Sequence, residues 1–125
     1  MLKLRWRMPN RLPAIGHARR LVRSATWDGS KVGRDTAELA ASELVTNAIV
    51  HGAPPVELEV DIRESQCVRI AVKDTAPLLP VLTPRTTPHT SEGGRGLAIV
   101  DAVSTRWGLV ATADGKQVWC EIALE

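Results

Sequence analysis

The chain has 125 residues and a formal charge of +2, which fits one domain and is too small a net charge to imply a polyanion partner. Hydrophobic residues make up 44% and charged residues 24%, an ordinary globular balance that excludes wholesale disorder. The apolar run 97–100 stops at Asp101, far short of the roughly 20 residues a membrane helix needs. Leu2, Leu4, Trp6 and Met8 alternate with Lys3, Arg5 and Arg7, the period-two pattern of a strand with one wet face. This opening has no secretory apolar core, so the expected location is cytoplasmic. Pro13 suits a first helical turn, and Ile15, Ala18, Leu21, Val22 and Ala25 then repeat at helical spacing up to about Trp27. Seven cations, Lys3, Arg5, Arg7, Arg11, Arg19, Arg20 and Arg23, precede the first acid, Asp28. They suit a solvated helix face and a charged edge strand better than a nucleic acid or an acidic protein. No nucleic-acid reading motif accompanies them.

After the Asp28-Gly29 turn a longer helix is predicted to start near Lys31 or Val32, with Ser30 as its cap. Its stripe is Ala37, Ala40, Ala41, Leu44, Val45, Ala48 and Ile49, and Gly52-Ala53-Pro54-Pro55 ends it. Val56, Leu58, Val60 and Ile62 alternate with polar residues, as do Val68, Ile70 and Val72, which predicts two strands joined across a hairpin-sized connection. Residues 77–92 hold four prolines and four threonines, and loops of this length tend to be lids, binding loops or disordered segments. A third helix is expected over about 94–105, then strands near 109–112 and 117–123. Cys67 and Cys120 lack metal-ligand spacing and read as reduced packing residues.

The order βααββαββ, with one apolar face per strand, calls for an α/β (α+β) two-layer sandwich. The sheet should be mixed and mainly antiparallel, with three helices on one face.

Three features carry chemistry. Glu43, Asn47 and His51 stack at steps of four along one flank of the second helix, on the border between core and solvent. An Asn carbonyl suits magnesium, and a carboxylate one turn away can accept a proton from a hydroxyl or water; an ordinary polar flank has the same pattern. Asp74 keeps the parity of Val68, Ile70 and Val72, so it points to the helix-covered side. An acid there needs a hydrogen-bond donor, whether the amino group of adenine, a nearby Arg or a helix N-terminus. Gly93-Gly94-Arg95-Gly96-Leu97 opens the third helix, where backbone N–H groups and the helix dipole favour an anion and Arg95 can add charge-assisted bonds; a flexible hinge would look alike.

In this order and on these elements, the three resemble a known family. Residues 43–52, Glu-Leu-Val-Thr-Asn-Ala-Ile-Val-His-Gly, look like the N box of the GHKL (Bergerat-fold) ATPases. Asp74 resembles their adenine-reading aspartate, and residues 93–97 their second glycine box at the end of an ATP lid, here the loop 77–92. Arg106-Trp107-Gly108 and the 115–119 segment, Gly-Lys-Gln-Val-Trp, are similar to short bacterial members, the histidine-kinase-like ATP-binding proteins related to anti-sigma-factor serine kinases. The resemblance implies a single ATPase domain over 1–125. It implies Glu43 as general base, Asn47 as magnesium ligand, Asp74 on adenine, and Gly94, Arg95, Gly96 and Leu97 along the phosphates, with ATP and Mg2+ as cofactors. His51 and Gly52 would shape the site. The implied activity is serine/threonine kinase action on a small anti-sigma antagonist, with a sigma factor as a further partner and a homodimer as the form. The alternative is a non-catalytic nucleotide-binding module that gates a transcriptional regulator. Two departures stand out: Asp74-Thr75-Ala76-Pro77-Leu78 lacks both glycines of the usual first glycine box, and Gln117 stands where relatives often carry Thr.

Overall fold

The computed structural model describes residues 2–63, 66–77 and 92–125, with side chains from Leu97 onward in the last segment. Its elements are β1 (Leu2–Met8), α1 (Pro13–Ala25), α2 (Lys31–His51), β2 (Val56–Arg63), β3 (Cys67–Asp74), α3 (Glu92–Val103), β4 (Arg106–Thr112) and β5 (Gly115–Ala123). The five strands form one sheet in the order β1-β2-β3-β5-β4, and every pairing is antiparallel. The sheet is therefore less mixed than the sequence suggests. β4 and β5 form a hairpin across the two residues between Thr112 and Gly115, and β5 inserts between β3 and β4, so that these two never pair. Both late strands begin earlier than their apolar alternation does, because Arg106 and Lys116 are already in the ladder.

The helices start where local chemistry lets them. Pro13 occupies the first turn of α1, where a missing N–H costs nothing. Ser30 caps α2 by accepting a hydrogen bond from the Gly33 amide at 3.0 Å, which satisfies one of the orphan donors of the first turn. Gly33 is required by space: a Cβ there would come within 2.8 Å of Leu124 Cα. The Ser30 amide donates to the Leu124 carbonyl at 2.7 Å, and the Leu124 amide to Gln66 at 2.7 Å. The segment after β5 thereby ties the helix entry to the β2–β3 connection.

All three helices lie on one face. α2 packs on β3 and β5 and is flanked by α1 and α3. Its Ala37, Ala40, Ala41, Leu44, Val45 and Ala48 are buried against Val56, Leu58, Val60, Val68, Ile70, Val72, Val118, Cys120 and Ile122. The small alanines bring the helix backbone close to the sheet, and close packing carries the stability of an interior that contains no Phe or Tyr. Cys67 and Cys120 are free thiols.

The outer face of the sheet is polar but well covered. Trp119 lies under the Arg69 guanidinium, 4.3 Å from ring centroid to Cζ. Arg106 bonds Glu121 at 2.7 and 2.9 Å, and the indole passes so close to Gly108 that a Cβ would meet its Nε1 at 2.9 Å. Trp107 points the other way, toward the core, and donates its indole N–H to Asp101 of α3 at 2.7 Å. Part of the N-terminal cation cluster is also matched: Arg5 bonds Glu59 at 2.9 Å, and Arg23 holds buried Glu38 through two bonds of 2.7 and 3.0 Å. Among the described residues no helix is long and apolar enough to cross a membrane.

Candidate functional site

The site is organised by the second half of α2 and the end of β3. Glu43 and Asn47 are half-buried on one flank of α2, and His51 is exposed at its last turn. The helical step of four places Glu43 and Asn47 about 6 Å apart along the axis. Glu43 lines a groove of about 440 Å3 between α1 and α2, together with Arg19, Arg23 and Ser42. Burial pushes its carboxyl above the usual carboxylate range, the direction expected when a charged group loses water and gains no cation. Arg23, the obvious candidate cation, is already committed to Glu38.

Asp74 ends β3 on the helix-covered side, as its parity requires, with 4% of its surface exposed. Its donors come from three directions. The Ala76 amide reaches Oδ1 at 2.8 Å, the Ala53 amide at 3.4 Å and the Lys116 ammonium at 2.9 Å. All three described donors converge on Oδ1. Oδ2 lies against Gly52, where a Cβ would come within 2.7 Å of it. The loop after α2 is pinned to the same corner by Thr75, whose amide donates to Ala53 O at 3.0 Å and whose hydroxyl donates to Pro54 O at 2.6 Å. Gly115 closes the other side, since a Cβ there would overlap the Asp74 carbonyl.

Lys116 is the residue that sequence reasoning missed. Attention to Gln117 was one position out: in the β3–β5 register Gln117 faces Lys73, whereas Lys116 faces Asp74. The signal was available in parity, because Lys116 shares its face with Val118, Cys120 and Ile122, all buried. A lysine on that inward face needs an acid, and Asp74 is the acid on that face of the neighbouring strand. The donor to Asp74 that the sequence left open among adenine, an arginine and a helix end is therefore, within the protein, a lysine.

The altered first glycine box has a local reason. Ala76 uses its amide to close a turn on Asp74, a role that needs no glycine. The lid assigned to 77–92 falls almost wholly outside the described residues. Gly94, Arg95 and Gly96 belong to the opening turns of α3, which starts at Glu92, two residues earlier than expected; their side chains lie outside the described residues. Leu97 is buried in the core at 7% exposure, so its backbone is the part available to a ligand. α3 packs directly on α2, which puts the glycine-bearing helix beside the Glu43–Asn47 helix.

The sequence pattern of the histidine kinase-like ATPase domain matches residues 8–122. A protein of Streptomyces coelicolor, the uncharacterized protein SCO4941, is 36% identical over 86 residues, 67% of this chain and 82% of that one. Among solved structures, that of the RsbU and RsbW domains of Rv1364c from Mycobacterium tuberculosis superposes with a TM-score of 0.74 at 18% identity, covering 99% of this chain. This chain spans 33% of the length of that one. The histidine kinase domain of the Erythrobacter litoralis EL346 blue-light activated histidine kinase gives a TM-score of 0.59 at 17% identity, over 90% of this chain and 60% of that one. At these identities the structural likeness speaks for the fold. With the family pattern running from the end of β1 into β5, the chain belongs to the histidine kinase-like ATPase domain family.

Proposed function

We propose that this protein binds MgATP along α2 and transfers the terminal phosphoryl group to a hydroxyl of a small regulatory protein. The observation that carries the reading is the alignment on one helix of a half-buried carboxylate, an amide one turn on, and a buried acid packed against the glycine that ends the helix. From Glu43 to Gly52 the helix advances about 13 Å, a span suited to an extended nucleoside triphosphate with its base at the Asp74 end.

The donor set fits that ligand. Among the described residues no cluster of three His, Cys, Asp or Glu side chains is present, so a cation here would be held by few protein atoms together with phosphate and water, the habit of magnesium. Asn47 supplies the oxygen, Asp74 accepts from the base amino group, and the opening turns of α3 offer backbone N–H groups from Gly94, Arg95, Gly96 and Leu97 to the phosphates. Bound magnesium would neutralise charge on the phosphates as they are transferred. Glu43 takes the proton of the attacking hydroxyl. Its low solvation raises its affinity for a proton, which suits a general base working near neutral pH. The resemblance to anti-sigma-factor serine kinases supports an anti-sigma antagonist as the acceptor.

A second reading is favoured by Ala76 and Leu78 standing where glycines are usual: a nucleotide-binding module without transfer, whose bound state gates a transcriptional regulator. Labelled ATP with the regulatory proteins encoded beside this one separates the two. Label on a partner with the parent protein and none with Glu43→Ala supports transfer. ATP binding without labelling of any partner supports the gating module, and no binding at all removes both.

A further inference from the structure

Resting on the assignment of Asp74 to the base, we propose that Lys116 is a second base-reading residue, whose ammonium donates to the ring N1 of adenine while Asp74 accepts from the 6-amino group. Lys116 is held on the covered face of β5, its side chain 11% exposed and that of Asp74 2%. An ammonium carries three donors. Among the described residues one of them is used, on Asp74 Oδ1 at 2.9 Å. The pair is set by the β3–β5 register, with Gly52 close against the carboxylate and Gly115 close against the Asp74 backbone carbonyl.

Buried, such a pair offers a base one strong acceptor beside one strong donor. The adenine edge presents the complement, a 6-amino donor adjacent to the N1 acceptor. Guanine in the same orientation presents a 6-oxo acceptor adjacent to an N1–H donor, so it would oppose carbonyl to carboxylate and N–H to ammonium. Sites built to hydrogen-bond a group reject analogues that leave their buried polar atoms unpaired. The lysine thus makes selection for adenine a two-point test. It also supplies, from β5, a directed contact to the base in a chain whose first glycine box has lost its glycines.

Calorimetry on the full chain with the magnesium complexes of ATP and of 1-deaza-ATP, which lacks N1, tests the proposal. The parent protein should bind ATP at least about tenfold more tightly than 1-deaza-ATP, and Lys116→Met should bind the two equally. Equal binding by the parent overturns the role of Lys116 and leaves ATP binding intact. Retention of the N1 preference by Lys116→Met also overturns it. Binding of neither nucleotide by the parent overturns the assignment of Asp74 as well. Should Lys116→Met fail to fold, the comparison of the two nucleotides on the parent decides the matter alone.

Discussion

Gly52 touches Asp74: a Cβ on the glycine would stand 2.5 Å from the Asp74 Cγ and 2.5 Å from the Ala48 carbonyl oxygen. Gly52 has a φ of −101°, which any residue adopts, so the glycine is required by space and not by backbone conformation. Gly52→Ala should push the carboxylate off its donors, lower stability by about 1–3 kcal/mol and weaken MgATP binding. Urea denaturation and calorimetry on the same variant measure both effects.

Removing Asp74 strands a cation. Asp74→Ala leaves the Lys116 ammonium buried without its acid, a change that costs about 3–5 kcal/mol. Asp74→Asn, which keeps an acceptor oxygen, should cost less. Asp74→Ala combined with Lys116→Met should be clearly more stable than the sum of the single losses predicts, because the pair acts as a unit. Denaturant midpoints of these three variants and of Lys116→Met alone check this.

Magnesium ATP should stabilise the fold. At a concentration one hundred times Kd the gain is about 2.7 kcal/mol, seen as a rise in Tm. Asn47→Ala removes the proposed metal ligand without touching the buried face of α2. It should melt like the parent in the absence of nucleotide and lose most of the ATP-dependent rise.

The Glu43 carboxyl lies above its ordinary range in the folded protein because burial disfavours its charge. Just above the usual carboxylate pKa the folded state therefore binds more protons than the unfolded state. Stability falls as pH rises from the unfolded toward the folded pKa, and the cost is complete once the pH is above the folded one. Glu43→Gln should melt at or above the parent temperature at pH 7, with the difference vanishing below about pH 4, while phosphoryl transfer is lost. Thermal melts at the two pH values, paired with a labelling assay, separate the stability effect from the catalytic one.

The Cys120 thiol is pushed up to about 11 by burial, and Cys67, half-buried, is raised less by the same cause and by Glu121. Reaction needs the thiolate. At pH 8 a disulfide reagent should modify Cys67 slowly and Cys120 only as fast as the protein opens, which mass spectrometry of timed samples distinguishes.

Much of this was legible in the chain. Strict alternation in Val56–Arg63 and around Val68, Ile70 and Val72 identifies two strands and puts Asp74 on the covered face. The alanine stripe and Ser30 mark the start of α2 to within a residue, and Gly52 marks its end. Sequence resolved less where tertiary pairing overrides local pattern. Arg106 and Lys116 look like loop residues until the register makes them strand residues with acids opposite: Glu121 on β5 for the first, Asp74 on β3 for the second. Parity puts Lys116 on the covered face, but only the register names its partner, since Asp74 and Lys116 are 42 positions apart. The groove beside Glu43 was likewise invisible, because α1 forms its other wall.

β5 comes after every other described element, yet it sits between β3 and β4. While a ribosome is still making the hairpin, β3 has one free edge and Asp74 has no lysine. Edges of this kind are sticky, and pairings between distant segments form slowly. The corner that would hold the base is therefore assembled in the same event that completes the sheet. A chain interrupted before Gly115 would lack both the central ladder and the Lys116 counter-charge, so it should be a client of chaperones and not a partly active protein.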